Sequence, residues 1–480
     1  HFWMIDHAAS PVPVHDQWQA EGEMLYVPLI ENRLTVSAIT HPHAEHRIIP
    51  TRLLALGLFK LNHHVWDVRL QMTINALLAA ALAALVVVIA SRQRGRIALI
   101  VFAAAFGALL ASPLFYGNAL WGFQSQFYFL LLFSIAHLDL VLRQRVLSRA
   151  WLLGIACTLF ATVSMGSGVF SAAIIVLLSV WNLIRSQVRE DRRAALINLV
   201  AHAVICGAAV VWSPRIHHLT IDWPSTWHTL LHCLAWPARF YTNWGAWVWL
   251  PFVLFLASNF ARASVARNDR VVLAIGLWVL AQIAAISLLR NSATLVITPR
   301  YYEIFWLGLV ANTLALHRLW ENAHDRGGSR LLKNVLLLLA IGWIAAVGHK
   351  AVSFTQSHWR HDLAAYQSFA RSQTQQVRAF LTGGDIKVLQ ALPYPQVPHP
   401  DPNYLARLLS NPIIRGILPS PMTDLSPPLL SRWAALARST AVYCLIVGIV
   451  LLLIDLGAPR RSASVNRRKF GRTTTRPQDA

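Results

Sequence analysis

From residue 69 onward, apolar runs of about eighteen residues or more recur along the chain, each closed by a short polar stretch. They predict helices that cross a bilayer. We read eleven spans, at roughly 69–91, 97–115, 125–144, 150–165, 168–185, 195–213, 244–262, 270–289, 302–319, 332–352 and 437–457. The fold class expected is an all-α polytopic membrane protein. Residues 47–62 are apolar but charged and too short to span, so they predict a helix lying in the interface. The fourth and fifth spans are short and joined by Ser164-Met165-Gly166-Ser167-Gly168, small residues that permit close helix contact or a broken helix lining a cavity. No internal repeat is visible.

The polar stretches alternate in kind. Arg92, Arg94 and Arg96 follow the first span; Arg143, Arg145 and Arg149 the third; Arg185, Arg189, Arg192 and Arg193 the fifth. Arg262, Arg267 and Arg270 follow the seventh, Arg318, Arg326, Arg330 and Lys333 the ninth, and the tail after the eleventh holds seven more basic residues from Arg460 to Arg476. The positive-inside bias puts these loops and the C-terminus in the cytoplasm. Four long connections, 1–68, 113–125, 214–243 and 353–436, then fall on the other face. The expected organisation is a transmembrane catalytic region over 1–352 carrying the first three of those loops. A small extracytoplasmic segment at 353–436, rich in proline and containing Pro393-Tyr394-Pro395, follows it. A last helix at 437–457 and a basic tail at 458–480 complete the chain. Its first residues, His1-Phe2-Trp3-Met4-Ile5, lead us to expect a further transmembrane helix ahead of them.

Composition agrees. Of 480 residues, 56% are hydrophobic and 13% charged, against about 25% charged in soluble domains. The formal charge of +21 raises nucleic acid as a partner, but arginines confined to short loops serve topology, and that class is excluded. Cys157, Cys206, Cys233 and Cys444 show no metal-like spacing and read as packing residues.

The candidate chemistry gathers on the outer connections. His15-Asp16-Gln17-Trp18 offers Asp16 as a general base, or as the cap of a helix starting at Gln17. His43-Ala44-Glu45-His46-Arg47 sets Glu45 and two imidazoles within one helical turn of a guanidinium. That set suits a divalent ion on Glu45 and His46, a phosphate held by the Arg47 fork with His43 and His46 donating, or an ion-paired interfacial cap. It is not HExxH, which excludes a zinc hydrolase of that type. In Tyr116–Gln126, Trp121 and Phe123 with Tyr128 fit an aromatic belt, whereas Asn118, Gln124 and Gln126 need partners or a wet cavity beside hydrocarbon. Arg290, Arg300, Tyr301, Tyr302 and Glu303 lie at the outer ends of the eighth and ninth spans. Their positive charge runs against the sidedness bias and fits either snorkelling or an anionic ligand. Residues 214–243 add Trp223, Trp227, Trp236, His217, His218, His228 and His232.

Asp16-Gln17-Trp18, Ala44-Glu45-His46-Arg47, Trp121-Gly122-Phe123-Gln124 and Arg300-Tyr301, in that order, resemble an uncharacterised bacterial group of the GT-C superfamily of integral-membrane glycosyltransferases. The resemblance covers most of the chain. It implies an inverting hexosyl- or pentosyltransferase of the bacterial inner membrane with its active site on the outer face. A sugar would pass from a polyprenyl-phosphate carrier to a glycan, lipid or protein acceptor, with membrane lipids as the other partner. Asp16 would be the base; His43, His46, Arg47, Arg300 and Tyr301 would bind the donor phosphate; Glu45 would orient Arg47 or bind an optional divalent metal ion. Trp18, Trp121, Asn118, Gln124, Gln126 and the tryptophans of 214–243 would line the substrate. The family commonly carries a soluble C-terminal domain, and here 353–436 is small and followed by one more helix. The rival expectations are a transporter or flippase for a lipid-linked or anionic substrate, which would show paired halves and polar groups near mid-membrane, and a scaffold that does not need Asp16.

Overall fold

A computed structural model describes residues 1–92, 113–214, 221–238, 241–262, 265–289, 297–423 and 425–457. Among them there are helices, turns and loops but no strand. Arg290 and the tail lie outside the described residues, as does the expected span at 97–115 apart from its end, where Pro113–Phe115 is a single 3₁₀ turn. The longer α-helices are α1 (Phe2–Ala8), α2 (Ile49–Leu61), α3 (Val68–Ser91), α4 (Ser125–Arg143), α5 (Arg149–Ser164), α6 (Phe170–Arg185), α7 (Arg189–Trp212) and α8 (Trp223–Ala235). They continue with α9 (Trp244–Phe260), α10 (Arg267–Leu289), α11 (Tyr302–Asp325), α12 (Arg330–Gly383), α13 (Pro402–Ser410) and α14 (Leu429–Gly457). Six helical segments among the described residues are long and apolar enough to cross a membrane: α3, Gly122–Arg143, Gly166–Arg185, α7, α10 and α12; α5 and α9 are apolar but shorter. The protein is therefore an all-helical membrane protein, and the expected interfacial segment 47–62 forms α2.

Local chemistry sets several of these boundaries. The Asp67 carboxylate accepts from the backbone N–H groups of Arg69 and Leu70 and starts α3. Ser148 and Ser329 cap α5 and α12 in the same way. The α5–α6 turn needs Gly168, because a Cβ there would lie 2.1 Å from the Ala161 carbonyl oxygen. Pro251 interrupts α9, and its neighbours repair the break. The Phe252 N–H donates to Asn312 of α11 at 3.1 Å, and the Val248 carbonyl accepts from Trp343 of α12 at 3.1 Å.

The expected span at 332–352 is only the first part of α12. That helix runs 54 residues in all, from Arg330 to Gly383, where Gly384 at φ +68° ends it. No proline or glycine intervenes between Gly348 and Gly383, so nothing local stops it at the membrane surface.

Two apolar cores result. One joins α4, α6, α9, α10 and α11 around Trp278, Trp306, Phe252 and Phe255. The other joins α1, the segment 18–27, α2 and the start of α3 to the far half of α12 and residues 389–418. The carboxylates at the arginine-rich end are buried and paired: Asp139 with Arg92 and Arg143, Asp269 with Arg262 and Arg318, and Glu321 with Arg318. Nearly buried, Asp139 and Asp269 are held by geometry that gives each of their oxygens a guanidinium donor, while Glu321 meets Arg318 through Oε2 and His317 through Oε1. The polar cleft described next lies at the opposite ends of α4, α10 and α11.

Candidate active site

A cleft of about 810 Å³, counted out to its open mouth, lies where the segments 15–16, 43–46, 121–126 and 300–301 meet. Asp16, His43, Glu45, His46 and Arg300 form its polar end. Phe127, Leu130, Met165, Ile286, Leu289 and Ile304 form an apolar wall on α4, α10 and α11 and the break before α6. Four motifs spread over nearly three hundred residues of sequence thus converge.

Asp16 sits between two imidazoles. Its Oδ1 is 2.6 Å from His15 Nδ1 and its Oδ2 3.5 Å from His43 Nε2. Burial disfavours its charge, but hydrogen bonds from His15 and His43 and their charges outweigh burial and hold the carboxyl well below the usual carboxylate range. The backbone is held tightly here. His15 N–H donates to the Pro398 carbonyl at 2.7 Å, and the Asp16 carbonyl accepts from Ala20 N–H at 2.8 Å. The Asp16 side chain does not cap the following helix; Gln17 occupies that position and makes no side-chain cap bond.

Residues 43–46 form a tight turn rather than the helical turn expected. His43 N–H donates to the His46 carbonyl at 2.6 Å and His46 N–H returns a bond to the His43 carbonyl at 3.0 Å. Ala44 (φ +48°), Ile48 (φ +46°) and His15 (φ +50°) all lie in the left-handed region. Such strain in non-glycine residues persists where surroundings fix it, and it clusters at functional sites. His46 Nδ1 accepts from Gly166 N–H at 3.3 Å, which ties the turn to the α5–α6 break and puts the ring proton on Nε2. Burial, with His43 and Arg300 adding to it, pushes His46 down to about 4, so it is a neutral hydrogen-bond donor at pH 7.

The other wall carries Arg300. Its Nε is buried without a hydrogen-bond partner among the described residues, and its guanidinium carbon lies 5.4 Å from the Tyr301 ring centre. Oε1 of Gln124, Oε1 of Gln126 and Nε1 of Trp121 are likewise buried and unpartnered. A guanidinium and several unused polar atoms facing an ionised carboxylate make a site prepared for a polar, anionic group.

Several expected roles are corrected. Trp18 is fully buried, edge-on to Trp66 at 5.4 Å, and belongs to the core rather than the substrate surface. Trp236 is core as well, packed on Tyr302, Phe305 and Phe354, while Trp223 and Trp227 are exposed and line no part of the cleft. Asn118 is buried behind the wall, donating at 2.8 Å to both the Arg300 carbonyl and Glu303 Oε2, so it holds the Arg300 loop. Arg47 turns away. It donates to the Trp212 carbonyl at 3.1 and 2.9 Å and to the Thr40 carbonyl at 2.9 Å, with its guanidinium 4.5 Å above the Trp212 ring. It satisfies the C-terminus of α7, where a cation suits the helix dipole, and lines a neighbouring cleft that lacks Asp16. Glu45 Oε1 and His46 Nε2 lie 3.9 Å apart, and His46 Nδ1 is engaged by the Gly166 N–H. Among the described residues no group of three His, Cys, Asp or Glu is placed to hold a metal ion.

Sequence reasoning missed Tyr394 and His399, which come from the proline-rich segment after α12 and stand against His15 at ring distances of 5.6 and 6.2 Å. Burial, then the Asp16 charge, raise the Tyr394 hydroxyl pKa, which Arg300 partly offsets.

Two glycines let the walls close. A Cβ on Gly117 would lie 2.8 Å from the Arg300 backbone nitrogen, and one on Gly122 would lie 2.6 Å from Gln71 Oε1 and 3.0 Å from Gln17 Nε2. Gly117→Ala and Gly122→Ala are therefore expected to lower the melting temperature in detergent. Gly57→Ala, on the exposed face of α2 with nothing within 4 Å, should leave it equal or raise it, since alanine is favoured in a helix by about 1 kcal/mol. Equal melting of all three would break the packing argument. Among known proteins, no family model, no curated protein and no solved structure matches the chain, so the reading of this site stands on its own geometry.

Proposed function

We propose that the protein is an inverting glycosyltransferase that moves a hexosyl or pentosyl group from a polyprenyl-phosphate carrier to a hydroxyl acceptor. The supporting observation is the cleft itself: a carboxylate held ionised and a guanidinium whose Nε has no partner among the described residues share one end, and an apolar wall continues from them along α4, α10 and α11. That is the complement of a sugar phosphate on a hydrocarbon tail.

In this mechanism the acceptor oxygen attacks the anomeric carbon from the Asp16 side. The bond from that carbon to the phosphate oxygen breaks, and the phosphate leaves with the electron pair. The acceptor proton passes to Asp16. A carboxylate held so low is a weak base, which suits late proton transfer, when the forming bond has made the hydroxyl acidic. Its negative charge meanwhile favours the positive charge on the sugar ring in the transition state. Arg300 receives the charge growing on the phosphate, offering an Nε that has no hydrogen-bond partner among the described residues. His46 contributes a hydrogen bond and no charge.

The test is transfer from a radiolabelled polyprenyl-phosphate sugar by protein in liposomes supplied with envelope extract. Label leaving the carrier with inversion supports the proposal. Movement of the intact lipid between leaflets without cleavage supports the flippase instead. On the same reading the cleft faces away from the cytoplasm of a bacterial inner membrane. A cytoplasmic reporter fused after Arg476 should be active there, and an exported-enzyme reporter active near residue 390; an active exported reporter at the C-terminus would move the cleft to the cytoplasmic face.

A further inference from the structure

Glu21 is buried to 1% exposure, and no basic side chain among the described residues is paired to it. It lies on a nine-residue π-helix, Trp18–Tyr26, a conformation found mostly in short pieces at functional sites. One oxygen, Oε2, accepts four hydrogen bonds: from Gln71 Nε2 at 2.9 Å, Trp66 Nε1 at 3.0 Å, Gln17 Nε2 at 3.2 Å and Tyr26 OH at 3.3 Å. Tyr26 follows Glu21 by five residues, the repeat of the π-helix, which is why that helix form brings both to one side. Burial outweighs the four donors and pushes the carboxyl up to about 6. An apolar residue would fill this space at less cost, so the carboxylate is present for what it arranges.

Two parts of the cleft depend on it. Gln17, next in the chain after Asp16, gives its amide both to Glu21 and to Gln71 Oε1, the latter at 2.6 Å. Gln71 and Gln17 in turn pack against Gly122, where no Cβ fits, and one turn further along α3 Asn75 donates to the carbonyls of Trp121 and Gly122 at 3.3 and 3.0 Å. We propose that Glu21 is a positioning residue that fixes Asp16 and the Trp121–Gln124 loop in a single register across the cleft. The consequence for catalysis rests on the transferase reading; the structural register does not.

The experiment uses full-length protein in detergent or liposomes, with Glu21→Gln, Glu21→Ala and Gln71→Leu. Gln71→Leu keeps Glu21 and its direct bond from Gln17 but removes the amide that joins both of them to the Gly122 side, so it tests the link if Glu21→Ala fails to fold. Hydrogen exchange should rise together over 15–26 and 118–124 in Glu21→Ala and Gln71→Leu, and far less in Glu21→Gln, which keeps an acceptor oxygen. In the transfer assay kcat should fall by roughly 10- to 100-fold in the first two, as expected for a catalytic group misplaced by about an ångström, with KM for the donor within about twofold. Exchange that rises only over 18–26, or a kcat that stays at the wild-type value while exchange rises in both segments, overturns the proposal. If the wild-type protein transfers no sugar, the transferase reading falls, and the paired exchange still decides the role of Glu21.

Discussion

Asp16→Asn should lower sugar transfer by roughly 10²- to 10⁴-fold, the usual contribution of a general base, while expression stays near normal. Asparagine has nearly the size of aspartate and can still meet His15 and His43, but it takes no proton at neutral pH and brings no charge to the sugar ring. Structure adds weight to the second loss, because the carboxylate is kept ionised by the imidazoles on both of its oxygens. Asp16→Glu should recover little. An extra methylene drives the carboxylate toward His43 or the Trp121 wall, and an error of about an ångström costs about a hundredfold. The side chain does not cap the π-helix, so a fall in stability large enough to mimic the loss of activity is not expected from Asn. Normal transfer by Asp16→Asn would remove the base and, with it, the mechanism. Glu45, across the cleft, would be the next carboxylate to test.

Arg300→Ala should lower kcat/KM for the lipid-linked donor by roughly 10- to 100-fold, the equivalent of a hydrogen bond to a charged group worth about 1.5–3 kcal/mol. Arg300→Lys should recover only part, since an ammonium cannot offer the planar fork that a phosphate accepts. Arg47 is the informative contrast. Its guanidinium is spent on the Trp212 and Thr40 carbonyls, so Arg47→Lys should loosen the 40–48 segment and lower melting temperature more than it changes donor KM. Should Arg47→Lys raise donor KM as much as Arg300→Ala does, the assignment of phosphate to the Arg300 wall would be wrong.

The apolar runs and their alternating arginines were readable because hydrocarbon imposes them: a span needs length and apolarity, and charge gathers at its ends. The same reasoning foresaw that Asp16, the 43–47 cluster, the 121–126 amides and Arg300 share one face, and in the structure most of them share one cleft. Direction within that face was not readable. Arg47 and Arg300 look alike in sequence; one meets a helix terminus 165 residues away, and the other lies over the Tyr301 ring with an Nε that has no partner among the described residues. Trp18 beside Asp16 looks like a sugar platform, but a tryptophan serves equally as core, and Trp66 decides it. Glu21 gave no signal, since its four donors come from four separate positions. The continuation of α12 was hidden by polarity: residues 353–383 look like a surface loop, yet lack any residue that ends a helix.

That continuation joins an apolar helix segment and the neighbourhood of the cleft in one unbroken element. At 1.5 Å per residue α12 is about 81 Å long, and it is gripped at three heights: by Val248 through Trp343, by Tyr116 through Asp362 at 2.8 Å, and by Pro395 through Gln373 at 2.8 Å. Pro395 adjoins Tyr394, whose ring stands against His15 beside Asp16. Trp343 and Gln373 are about 45 Å apart along the helix, so a tilt of about one degree would move its far end by close to an ångström. Helices tilt to match the thickness of the surrounding lipid. Lipid thickness is therefore expected to change the spacing of groups around Asp16, and transfer rates in liposomes of different acyl-chain length would read it.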